Sequence, residues 1–270
     1  MLDWLLQRLR LKATVPAIPE PLWQATLARF PFVGDAAGSG LNQLRSLTEH
    51  FLAQKEFSGA HGLEITDEMA VAIAAQACLP VLHLGLDWYD EFTGIVVHPG
   101  AMRARRQSMD AAGVVHAYTE ELTGEAMDAG PVTLSWVDVA GAEPDETEGM
   151  AEGGPSPNAG YNVVIHEFVH KLDMRSGDAD GCPPLPTRAL RERWQPVMQA
   201  SYDRFREQVS MAERFGAPAP WLDAYGASAP AEFFAVASEA FFMNPERLAQ
   251  DFPEMTALLG AFFRNEPLKD

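Results

Sequence analysis

Residues 163–173 read Val-Val-Ile-His-Glu-Phe-Val-His-Lys-Leu-Asp, which sets His166, Glu167 and His170 in an H-E-x-x-H spacing. On a helix, side chains four apart lie one turn above each other on one face, so both imidazoles can reach a single ion at about 2.0–2.1 Å. Glu167 projects beside that face. Its carboxylate is poorly placed to bind the ion, but it can hydrogen-bond a water there, take a proton and pass it to a leaving amine. At this chain's His and Glu frequencies such a motif arises by chance in roughly one or two cases in a hundred. The competing reading is a pair of satisfied core histidines. Against it stands the apolar run Val163-Val164-Ile165, which would bury this turn. Burying two imidazoles and a carboxylate with no ion among them is costly. The expected occupant is one zinc ion per chain.

A catalytic zinc takes three protein ligands and keeps one position open. The residue ten after the first histidine, where metzincins place their third ligand, is Ser176. Asp173 shares the face of His166, but a ligand two turns along one helix would strain the geometry. It reads instead as a residue that orients His170 or a neighbouring loop. Further on, Ala229 to Met243 is an almost wholly apolar segment holding two isolated carboxylates, Glu232 and Glu239. Seven apart, they lie on one face of a helix that must pack into the core. Glu232 is a metal ligand, or it is a first-turn acid complementing the helix dipole after Pro230; the residues alone leave both open. His50, His61, His83, His98 and His116 lack ligand spacing.

These residues need a scaffold. Helical runs are expected over Pro21–Phe30, Leu41–Phe57 and Asp67–Leu86, the last with Pro80 near its end. Short β-rich runs follow at Gly94–Pro99, Val114–Tyr118 and Pro131–Val139, enough for a small sheet. By analogy with other zincins, Pro131–Val139 is expected to be the edge strand along which substrate backbone pairs. The acidic Gly/Pro-rich stretch 141–160 has almost nothing to pack and reads as a surface loop. Helical periodicity returns over Asn162–Met174, Arg188–Phe215, Pro230–Met243 and Pro245–Asn265.

With 270 residues, 47% hydrophobic, the chain can bury a core as a single compact unit: a helical layer over about 1–60 and a catalytic core over about 61–270. A net charge of -18 repels phosphate backbones and anionic lipid, so neither nucleic acid nor a membrane is an expected direct partner. Cys78 and Cys182 are the only cysteines and sit in dissimilar settings. They form no disulfide framework and fit a reducing, cytoplasmic setting. At the N-terminus, Asp3, Gln7, Arg8 and Arg10 interrupt what would be a signal core, so a short amphipathic helix is expected.

The runs Val163–Asp173 and Tyr225–Phe242 together resemble the Mlc titration factor A family of bacterial peptidases. Ala77–Phe92 and Gly130–Trp136 match it too, and the likeness spans most of the chain from about residue 40 onward. In that family, and in the similar catalytic domain of anthrax lethal factor, zinc is held by the two motif histidines and by a Glu seven residues after a Tyr. Tyr225 and Glu232 stand at that spacing. The resemblance therefore implies Glu232 as the third ligand and Tyr225 as a donor to the oxyanion. Glu239 is left to accept the outer N–H of a ligating imidazole. It implies an α+β, zincin-like (gluzincin) fold with a small mixed sheet, and aminopeptidase-like hydrolysis of a peptide substrate. It also implies binding of a transcriptional repressor of sugar uptake. A module that sequesters the repressor, with peptidase activity secondary or vestigial, is the competing function.

Overall fold

The computed structural model describes residues 15–109, 115–127, 129–141 and 161–268. The amphipathic helix expected at the extreme N-terminus and nearly all of the 141–160 loop lie outside the described residues.

Helices α1 (Glu20–Arg29), α2 (Pro31–Ala37) and α3 (Leu41–Gln54) come first. The run expected as one helix to Phe57 stops at Gln54, because Lys55 is extended and the chain enters strand β1 (Glu56–Gly59). Helix α4 (Asp67–Cys78) is capped by Thr66, whose hydroxyl accepts the Met69 N–H at 3.2 Å. It ends well short of the expected Leu86. Pro80 has no N–H to give and its ring clashes with the carbonyl four residues earlier, so the helix cannot continue.

Strands β2 (Gly94–His98), β3 (Met102–Met109), β4 (Val115–Leu122), β5 (Gly124–Ala126) and β6 (Val132–Ser135) follow. β3 and β4 pair with each other as an antiparallel ribbon. The main sheet has the order β1-β2-β6-β5, with β1, β2 and β6 parallel and β5 antiparallel to β6. Pro131–Val139, expected as an edge strand, is not one. Val132–Ser135 is bonded on both sides, and Trp136–Ala140 coils into helix α5. The edge belongs to β5. Its three residues, one of them Gly, carry no period-2 signal to read.

Helices α6 (Val163–Asp173), α7 (Arg188–Phe215), α8 (Pro230–Met243), α9 (Pro245–Asp251) and α10 (Pro253–Phe263) complete the described chain. The C-terminal helical region breaks at Phe252, whose φ of -132° and ψ of 63° lie outside the α region, which the following Pro253 disfavours for it. The architecture is α+β. One connected core of buried side chains runs from Ile18 to Phe263. α6 lies inside it, every residue buried, with Phe168 against the rings of Phe51, Tyr89 and Phe92 at 5.2–5.9 Å. α8 packs along α6, and β5 flanks it. Among the described residues no helix is long and apolar enough to cross a membrane.

Candidate metal centre

Helix α6 begins where Asn162 caps it, its Oδ1 accepting the Ile165 N–H at 2.9 Å. Asn162 is itself held. Its amide donates to Gln76 Oε1 of α4 at 2.7 Å, and its backbone N–H donates to Glu239 Oε2 of α8. The first turn of α6 is thus fixed by polar contacts from two other helices before its side chains are placed.

One turn in, His166 meets α8 at both ring nitrogens. Nδ1 lies 2.8 Å from Glu239 Oε1, and Nε2 lies 3.0 Å from Glu232 Oε2. His170 Nε2 is 3.3 Å from that same Glu232 oxygen and 3.2 Å from His166 Nε2. The three atoms form a nearly equilateral triangle. Ligands about 2.0–2.1 Å from a tetrahedral ion stand about 3.3 Å apart, so this triangle matches one face of such a coordination shell. Two imidazole nitrogens and a carboxylate oxygen are also the donor set of that chemistry. Among the described residues this is the only group of three or more such side chains gathered closely enough to share an ion.

The imidazoles and carboxylates are electrostatically paired. Burial works to raise the Glu232 carboxyl, but the hydrogen bonds and charges of both imidazoles outweigh it and bring its pKa down to about 2. Burial alone would lower His166; the flanking carboxylates of Glu232 and Glu239 reverse that and hold it well above its ordinary value. The two imidazoles and the two α8 carboxylates thus set one another's charge.

Glu167 sits beside the triangle, pushed up to about 6 by burial, with the neighbouring imidazoles and the Ala126 N–H pulling the other way. Tyr225, on the short 3-10 turn Ala224–Ala227, is 47% exposed, its ring 6.2 Å from that of His166. Both line an open cleft of about 490 Å³ with the three metal-type residues, Glu239 and the β5 residues. Asp173 faces elsewhere: its Oδ2 accepts the Gly181 N–H at 2.7 Å, pinning the loop after α6. Its Oδ1 and His170 Nδ1 are both buried without a hydrogen-bond partner among the described residues.

A family model for the glucose-regulated metallo-peptidase M90 matches residues 3–264. The chain belongs to this family. M90 membership implies a metal ion, and the His166, His170 and Glu232 group offers a place for it. The chain is 34% identical to Mlc titration factor A of Escherichia fergusonii over 254 residues, covering 94% of this chain and 89% of the relative. The protein of that name from Cronobacter sakazakii is 34% identical over 261 residues, 95% of this chain and 91% of the relative. That from Salmonella arizonae is 33% identical over 247 residues, 91% of each. In this M90 chain, sequence reasoning passed over Gln76 and Asn162. Gln76 is a lone polar side chain in an apolar helix, the same signal that singled out Glu239.

Proposed function

We propose that this metallopeptidase-family chain is a zinc-dependent peptidase of zincin-like fold, working as one unit in the cytoplasm. In this reading His166, His170 and Glu232 hold one zinc ion per chain, Glu167 is the general base and Tyr225 the oxyanion donor. The observation that carries it is the triangle of ligand-type atoms 3.0–3.3 Å on a side, with the Glu167 carboxylate next to it in an open cleft. When bound, zinc supplies the Lewis acidity that makes water a better nucleophile near neutral pH and polarises a carbonyl.

The protein's own groups do the rest. Glu167, with a pKa near 6, is largely ionised at neutral pH and close enough to that pH to both accept and return a proton. It takes the proton of the attacking water and delivers it to the leaving amine. Tyr225 donates its phenol to the oxygen on which negative charge develops. The Thr123 carbonyl accepts from Ser135 of β6 and the Met127 N–H donates to Pro131 just before it, so the alternate residues Gly124 and Ala126 turn their peptide groups to the open edge of β5. A peptide lying there pairs with Gly124 and stays beside Glu167. Glu239 orients His166, and Asp173 holds the loop that follows α6.

The relatives are named for titrating Mlc. On that ground we also propose that this chain binds a transcriptional repressor of that kind, with aminopeptidase-like hydrolysis as its chemistry. Glu167→Gln tests both readings. It should keep about one zinc per chain while hydrolysis of an unbiased peptide library falls by several orders of magnitude. Unchanged turnover would remove Glu167 from the chemistry. If capture of the repressor survives the substitution, binding is separable from hydrolysis.

A further inference from the structure

Three side chains on or next to α6 reach across to one stretch of chain. The Tyr161 and Thr123 hydroxyls share a hydrogen bond of 2.6 Å. Glu167 accepts the Ala126 N–H. The Lys171 ammonium donates to the carbonyl of Met127, just past the end of β5, and to that of Gly130 at 2.9 Å. Glu167 and Lys171 are four apart, so they form one row of the helix, and this row faces β5. The approach is close. A Cβ added at Gly124 would stand 2.5 Å from Glu167 Oε1.

Lys171 is 6% exposed, a setting in which an ammonium is costly unless its hydrogens are used. Leu or Met would fill the space. What the ammonium adds is directed bonds to two carbonyls, and it lies 4.9 Å from the centre of the Phe92 ring besides. Strand β5 needs that support: it is three residues long and, among the described residues, has one strand neighbour, in β6.

We propose that Lys171 is a positioning residue for peptide substrates, fixing the end of β5 so that its open edge keeps a constant register and distance to Glu167. The inference rests on the peptidase reading. With the ammonium gone, a peptide must order the strand as it binds, and the loss falls on affinity rather than on proton transfer.

The test compares zinc-loaded full-length wild type with Lys171→Met and Lys171→Arg. Readouts are zinc content, backbone amide exchange at Ala126, Met127 and Gly130, and kcat and KM for mixed hexapeptides and for single-residue anilides. Lys171→Met should keep its zinc and exchange faster at those amides. Its KM for hexapeptides should rise by about tenfold, the effect of one directed hydrogen bond, with kcat and the anilide kinetics close to wild type. Lys171→Arg should recover most of the loss. Wild-type exchange and KM in Lys171→Met, or a fall in kcat at constant KM, would overturn the proposal. If Lys171→Met does not fold, Tyr161→Phe removes another of the three contacts and should give the same split. A wild type that cleaves nothing overturns the peptidase reading itself; a cleaving wild type with an indifferent Lys171→Met overturns only the positioning role.

Discussion

Glu239 Oε1 stands 2.8 Å from His166 Nδ1, and the other oxygen of the same carboxylate accepts the N–H of Asn162. One buried side chain of α8 therefore sets both the ring orientation of a candidate ligand and the cap of the helix that carries it. Glu239→Gln keeps the shape, but an amide cannot accept at both ends. Zinc affinity should fall by about 10–100-fold in competition with a chelating dye. An unaltered affinity would show that Glu239 serves packing alone.

Tyr225 is half exposed at the rim of the cleft that the candidate ligands line. Tyr225→Phe should lower kcat by about 10²–10³-fold, the usual size of one oxyanion donor, with KM nearly constant. A change confined to KM would assign the phenol to substrate binding instead.

The link from α4 to the cap of α6 is a stability matter. Gln76→Leu leaves the buried Asn162 amide without its acceptor. The expected cost is about 1–3 kcal/mol in urea unfolding, since the amide has lost water and found no replacement. A loss well below that range would mean the amide finds another partner.

Lys55 gives a pH dependence away from the metal centre. Its ammonium donates to the Tyr89 and Phe92 carbonyls, and burial brings its pKa from 10.5 down to about 8. Between those values the unfolded chain holds more protons than the folded one, so this group makes the fold more stable as pH rises from about 8 toward 10.5. Its contribution is lost as pH falls through 8. Urea midpoints of wild type and Lys55→Met at pH 7.5 and 9.5 check this. The difference between them should move in favour of wild type at the higher pH, and a constant difference would refute the assignment.

What the sequence discloses follows from the range of each signal. A spacing of four put His166 and His170 on one face, and isolation in an apolar run marked Glu232 and Glu239; both are properties of a single helix. That Glu232 should meet His166 at a sequence separation of 66 is a fact of tertiary packing, and periodicity names a face without naming its partner. β5 was hidden for a different reason. Gly124-Glu125-Ala126 is too short for alternation, and its place beside Glu167 depends on a missing Cβ, which no pattern of apolar residues encodes. The apolar run from Asp67 misled in length because Pro80 acts through backbone sterics, not hydropathy.

His166 and His170 belong to α6, while Glu232 comes from the start of α8. A ribosome makes the histidines first, and until α8 has emerged and docked there is no third donor beside them. On the proposed reading, tight metal acquisition therefore waits until α8 has been made and docked. A product truncated before α8 would carry the H-E-x-x-H helix without the candidate third ligand, Glu232.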